Sequence, residues 1–175
     1  MRIVGIYIID IQNKTCQYKD ALNFVNTFSR RAVKELMHEF ALHAAETLLD
    51  TERKIFEHPD WSFSCQRFHD CAIVIVTDHE YPSRVAFELL RKLFDDPSES
   101  NLMHILQTRQ DGTDAISRVK SSLDETLVIV HENIDKVIAR GHDIDDLVEK
   151  SANLSATSKI FYKTAKKHNS CCCIT

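Results

Sequence analysis

The chain has 175 residues, 43% hydrophobic and 27% charged, with three Gly, three Pro and a formal net charge of −4. So little Gly and Pro favours regular structure over low complexity, and the mixed, slightly acidic charge excludes a nucleic-acid binder. The longest uncharged apolar run, Cys71 to Val76, is far shorter than the roughly 20 residues of a spanning helix, and no basic-then-apolar leader opens the sequence, so a chain that stays on the cytosolic side is expected.

Ile3 to Ile11 is rich in β-branched residues and reads as a strand; Asn13-Lys14 turns it, and Thr15 to Tyr18 returns as a second strand. Ser29 is a suitable N-cap for a helix over 30–49. Val33, Leu36, Met37, Phe40, Ala41, Ala44, Ala45 and Leu48 share one face of it, which predicts a core-facing helix with Lys34, Glu35, Glu39 and Glu46 pointing outward. Trp61 to Phe68 alternates loosely as a strand, and Cys71 to Thr77 reads as a central one. Pro82 opens a helix through Leu93, with Val85, Phe87, Leu89, Leu90, Leu93 and Phe94 on its apolar side. Residues 95–100 end it, and Leu102 to Thr108 has room for at most two further turns. The order β-β-α, two or three β, then α predicts an α+β layered domain.

Little in this half carries chemistry. There is no phosphate-cradling glycine loop and no nucleophile motif. His38, His43 and His79 have carboxylates nearby, and packing or surface roles are expected of them. Cys65, His69 and Cys71 fit no common zinc spacing and lack an evident fourth ligand. Disulfides are not expected in a cytosolic chain. No enzyme activity, cofactor or metal is expected.

From Asp114 to Asn169 the pattern changes. Stepping by alternating threes and fours gives Ile116, Val119, Leu123, Thr126, Val130, Asn133, Val137, Arg140, Ile144, Leu147, Ser151, Leu154, Ser158, Phe161, Ala165 and His168, of which ten are apolar. The spacing averages the coiled-coil period, and no Pro interrupts it. A continuous helix of this length would be roughly 80 Å long. Its apolar seam calls for partner helices, or for folding back on its own chain. A second frame through Leu127, Ile134, Gly141 and Val148 is the more apolar in the N-terminal half, while Leu147, Leu154 and Phe161 favour the first frame in the C-terminal half. The extra stripe suggests that Leu127 and Ile134 pack on the N-terminal domain before partners arrive. Arg140 lies mid-seam: it either meets matched acceptors on partner helices and fixes register, or snorkels to solvent.

Leu123-Asp124-Glu125-Thr126, Arg140-Gly141, Asp145 to Ser151 and Phe161 to Lys167 together resemble the R-SNARE motif, and the Cys-rich end after Asn169-Ser170 resembles the Ykt-type prenylated longin SNAREs. The resemblance is strong from Ala115 onward and weaker over the first seventy or so residues, where Glu80 to Phe87 is the most family-like stretch. It implies a longin domain, an antiparallel sheet flanked by helices, followed by a long SNARE coiled-coil helix. The expected organisation is a longin-like domain over 1–96, a linker or shortened third helix over 97–113, the R-SNARE motif over 114–169 and a lipidation box over 170–175. The resemblance makes Arg140 the zero-layer residue, paired with three glutamines from three Gln-SNARE helices, and the other seam positions the flanking layers. It implies vesicle docking and membrane fusion by zippering, at the cytoplasmic face of Golgi, ER, endosomal or vacuolar membranes. A closed state between longin domain and SNARE motif is also implied. The family closes on an aromatic of the first long helix, where this chain has Glu39 with Phe40 beside it. A longin-domain adaptor that dimerises through its coiled coil is the alternative.

Cys172-Cys173-Ile174-Thr175 has the C-a-a-X form, which makes Cys172 the prenyl acceptor and Cys171 the natural second site, for palmitate or another prenyl group. Two lipids anchor stably where one does not, and Lys163, Lys166 and Lys167 add attraction to anionic lipids. Unmodified thiols are the other reading of the three cysteines.

Overall fold

A computed structural model describes residues 2–108, 130–133 and 148–170. At its centre is a six-stranded sheet of order β2-β1-β5-β4-β3-β6. Its strands are β1 (Ile3–Asp10), β2 (Thr15–Asp20), β3 (Arg53–Glu57), β4 (Ser62–Phe68), β5 (Cys71–Thr77) and β6 (Val130–Asn133). All neighbours pair antiparallel except β6, which lies parallel to β3. One sheet face carries α1 (Thr27–Thr47) and α4 (Ala156–Ser170), and the other carries α2 (Ser83–Asp95) and α3 (Glu99–Thr108). The α+β layering expected from the sequence is therefore present.

β1 up to Ile9 and β5 up to Val76 are almost wholly apolar because they are covered on both sides. Ala72, Val74 and Val76 face the α1 core while Ile73 and Ile75 face the α2 core. In β1 the alternation slips once. Val4 and Tyr7 share the α1 side, and Ile3 and Ile6 the other, because the pairing with β5 shifts register between Ile3 and Gly5. Such a bulge adds one residue and changes which face the next side chain takes. Gly5 fits there because a Cβ would lie 3.1 Å from the Tyr7 ring.

α1 buries seven of the eight apolar residues read for it; it ends at Thr47, short of the expected residue 49, and Leu48 is buried just beyond its end. It begins at Thr27, before Ser29, whose amide bonds to the Asn26 carbonyl at 3.0 Å. Its charges do not all face water: Glu39 is buried and Glu35 is largely covered. Trp61 sits in the β3–β4 turn, bonded both ways to His58, so β4 starts one residue later. α2 starts after Pro82 and continues to Asp95. Phe94 is 44% exposed and stacks on Phe68 with centroids 4.1 Å apart. The segment expected to supply at most two turns holds the ten-residue α3. Ser98 opens it, accepting from the Asn101 amide at 3.3 Å and the Leu102 amide at 3.1 Å. Leu102, Ile105 and Leu106 bury it against the α2 side.

Along the seam the described residues are not one helix. Residues 130–133 are a strand and 151–155 are non-helical, between helical residues 148–150 and α4. Among the described seam residues, Leu154 and Phe161 find cover on the chain's own domain.

Candidate functional site: the surface that holds the C-terminal segment

α4 packs on α1, and Val148, Leu154, Phe161 and Tyr162 join the core beneath α1. Its N-terminus is fixed by a small polar cluster. Ser155 is the N-cap: its Oγ accepts from the Ser158 amide at 3.3 Å, the usual bond to the third helical residue. The Ser155 amide and the Ser158 hydroxyl both donate to Glu35 Oε2, at 2.9 and 2.7 Å. Arg31, one turn earlier on α1, donates to Glu35 Oε1 at 3.0 Å. Burial opposes charge on Glu35, but the hydrogen bonds from Ser158, Ser155 and Arg31 outweigh it and bring the carboxyl down to about 2. The carboxylate also faces the positive end of α4, where negative charge is favoured.

The resemblance implied an aromatic contact from the position that Glu39 holds in this chain. Glu39 is 7% exposed and its Oε1 has no hydrogen-bond partner among the described residues. Phe40 points into the core, edge-on to Phe63. Sequence reasoning missed Glu35, which it placed on the solvated face. The available signal was Ser155-Ala156-Thr157-Ser158, a cap in need of further acceptors. Nothing local ties it to a carboxylate 120 residues away.

β6 is the second attachment. It extends the sheet at the β3 edge, with Lys54 opposite Val130 and Glu57 opposite Asn133. Lys54 bridges Glu52 at 3.0 Å and Glu132 at 3.7 Å. A protected edge also removes an exposed template for unwanted strand pairing.

Of the expected layer residues, Leu154 and Ser158 are buried and Phe161 partly so, all in the α4–α1 contact. Ser151 is half-buried and its Oγ accepts from the Asn153 and Leu154 amides at 3.1 and 3.3 Å. Ala165 is exposed, Val130 and Asn133 bound β6, and His168 lies in α4. Ile116, Val119, Leu123, Thr126, Val137, Arg140, Ile144, Leu147, Cys171 and Cys172 lie outside the described residues, as do Leu127 and Ile134.

The other chemical candidates are held apart. Cys65 Sγ lies 3.5 Å from the Phe63 carbonyl inside the α1 core, and burial pushes its thiol well up. His69 instead pairs with Asp50 at 2.9 Å. His38 is tilted against Tyr7 and Tyr18, and burial lowers its affinity for a proton. No group of three or more His, Cys, Asp or Glu among the described residues could hold a metal ion. Among the same residues no helix is long and apolar enough to cross a membrane.

The Synaptobrevin family profile matches residues 115–175. A synaptobrevin homologue, ykt6, of Schizosaccharomyces pombe is 34% identical over 99% of this chain and 100% of its own length. The chain belongs to the Ykt6-type synaptobrevin family of R-SNAREs. The YKT6 synaptobrevin homologue of Saccharomyces cerevisiae is 36% identical, covering 90% of both chains. The VAMP-like protein YKT61 of Arabidopsis thaliana is 35% identical over 84% of this chain and 83% of its own. Membership places the chain among SNARE proteins of vesicle trafficking rather than among enzymes, with SNARE-complex partners.

Proposed function

We propose that this chain is a lipid-anchored R-SNARE that docks vesicles and drives membrane fusion by zippering residues 114–169 with three Gln-SNARE helices. Arg140 is its zero-layer residue. Ile116 to Leu147 and Ser151 to His168, at the positions set out above, are its layers. Cys172 carries a prenyl group and Cys171 a second lipid, at the cytoplasmic face of its membranes. The form with α4 on α1 and β6 on β3 is the resting, closed form. The observation that carries this is the double use of one seam. Leu154, Ser158 and Phe161 would be layers in a four-helix bundle, yet they are spent on the α1 contact. Residues 130–133 cannot be both strand and helix. Closure and assembly therefore exclude each other, and the longin domain regulates assembly by competing for the seam.

The test is mixing the full chain with three Gln-SNARE helices, with and without Arg140→Ala, and measuring stoichiometry by light scattering. A one-to-one-to-one-to-one complex weakened by the substitution is expected. A homodimer through the seam would replace this reading with the adaptor one. Mass spectrometry of the C-terminal peptide from cells tests the lipids, and bare cysteines would remove the anchor.

A further inference from the structure

β2 is the outer strand of the sheet on the side away from β6, and among the described residues it pairs only with β1. The Ala21 amide donates to the Val4 carbonyl at 2.8 Å, just past the end of that ladder. Alternation from this bond turns the backbone groups of Thr15, Gln17 and Lys19 toward β1 and those of Cys16, Tyr18 and Asp20 outward. The outward amides and carbonyls are in register for one more strand.

The side chains beside this edge form a groove of about 560 Å³ on the α2 face. Ile8 of β1 and Ile73 of β5 are its floor. Thr15 and Gln17 line it along β2, because they stand opposite Asp10 and Ile8 on the same face. Leu93 and Phe94, at the end of α2, form its wall. Phe94 stacks on Phe68 and still leaves 44% of its surface exposed. Aromatic rings are enriched where partners dock. Beyond the groove, Lys19 pairs with Glu99 of α3.

The rim is acidic. Asp10 and Asp70 bound the groove at the hairpin end. The Asn13 amide and side chain each donate to Asp10 at 2.9 Å, which holds that carboxyl below its ordinary range and therefore charged. Asp95 and Asp96 follow Phe94, next to the lining Pro97. His69 also lines the groove, but it is taken by Asp50 at 2.9 Å. Lys14, in the β1–β2 turn, offsets one of these charges.

We propose that the β2 edge and this groove together bind an extended segment of another protein, which adds to the sheet as a further strand, sets apolar side chains against Ile8 and Phe94, and brings Lys or Arg to Asp10 and Asp70. Strand addition draws affinity from main-chain bonds and specificity from alternate side chains. Here the alternate positions that face the groove are those opposite Thr15 and Gln17. A second copy's β2 is a poor occupant, since it would bring its own polar Thr15, Gln17 and Lys19 to an apolar floor. The chain's own C-terminal segment is used elsewhere: β6 on the β3 edge and α4 on the α1 face. The edge is therefore independent of α4 docking, and the inference stands or falls apart from the fusion reading.

The experiment mixes the full chain with the peptide acetyl-Arg-Thr-Phe-Thr-Leu-Thr-Arg-amide, whose apolar and basic side chains share one strand face. At saturation, amide exchange of Cys16 and Tyr18 should slow about tenfold, while residues 53–57 and 130–133 keep their rates. Phe94→Ser should weaken binding about tenfold, with far-UV circular dichroism as in the parent. Asp70→Asn should weaken it about threefold and flatten its dependence on salt. A peptide with Glu in place of both Arg should bind at least about tenfold more weakly. Unchanged exchange at Cys16 and Tyr18 overturns the proposal, and so does affinity within about twofold of the parent in Phe94→Ser or with the Glu peptide. Slowing at the same amides that needs no peptide and grows with protein concentration also overturns it, by giving the edge to a second copy.

Discussion

Glu35→Ala is the perturbation that separates α4 docking from the rest of the fold. It removes the acceptor for the Ser155 amide and the Ser158 hydroxyl but leaves the apolar contacts of Leu154 and Phe161 in place. The Glu35 carboxyl falls from its ordinary 4.5 to about 2. At about 1.4 kcal/mol for each pH unit, that drop corresponds to about 3 kcal/mol of preference for the charged form. Arg31 stays beside Glu35 whether or not α4 is docked, and the side chain is 21% exposed, so part of this is local or screened. About 2 kcal/mol remains for the docked helix, a factor of about 30 in its opening equilibrium. Amide exchange read at residues 156–170 should therefore lose about thirtyfold protection in Glu35→Ala, while amides of β1 and β5 keep theirs. Protection of α4 that stays within twofold of the parent would refute the role given to this carboxylate.

Acid should act on the same contact. A carboxyl held low in the folded chain stabilises it above the ordinary value of 4.5 and loses that effect as pH falls toward about 2, so α4 should lose protection below about pH 4 before the sheet does. Leu154→Ala removes a buried side chain from the α4–α1 core and should cost about 2–3 kcal/mol of docking. It should also speed the capture of Gln-SNARE helices, measured by stopped-flow fluorescence; slower capture would argue against competition for the seam. Gly5→Ala places a methyl 3.1 Å from the fully buried Tyr7 ring and should lower the denaturant midpoint by an amount equivalent to about 1 kcal/mol. An unchanged midpoint would mean that the ring can shift.

The strands buried on both sides are plain in the sequence because Ile3 to Ile9 and Cys71 to Val76 offer apolar residues at nearly every step. α1 is equally plain, since its seven buried apolar positions from Val33 to Ala45 fall on one helical face. β3 is harder to see: Arg53, Lys54 and Glu57 flank only Ile55 and Phe56. The start of α3 was hidden by Ser98, which reads as loop until its capping bonds are seen. The site itself was only half legible. Heptad spacing marks Leu154, Ser158 and Phe161 as one seam, but does not say whether α1 or a partner covers it. Val130 to Asn133 fits both a heptad and a strand, and the choice depends on an edge that lies 74 residues away between Glu57 and His131. Glu35 was out of reach for the same reason: an acid on a helix looks solvated until the helix that covers it is known.

On the proposed function, one seam serves closure first and assembly afterwards. The most direct measurement is hydrogen exchange across residues 130–133 and 156–170 in the complex with three Gln-SNARE helices. The amides of β3 should become exchangeable at their freed edge while residues 130–170 become protected as one continuous helix. A four-protein complex in which residues 130–133 remain paired with Arg53–Glu57 would contradict it.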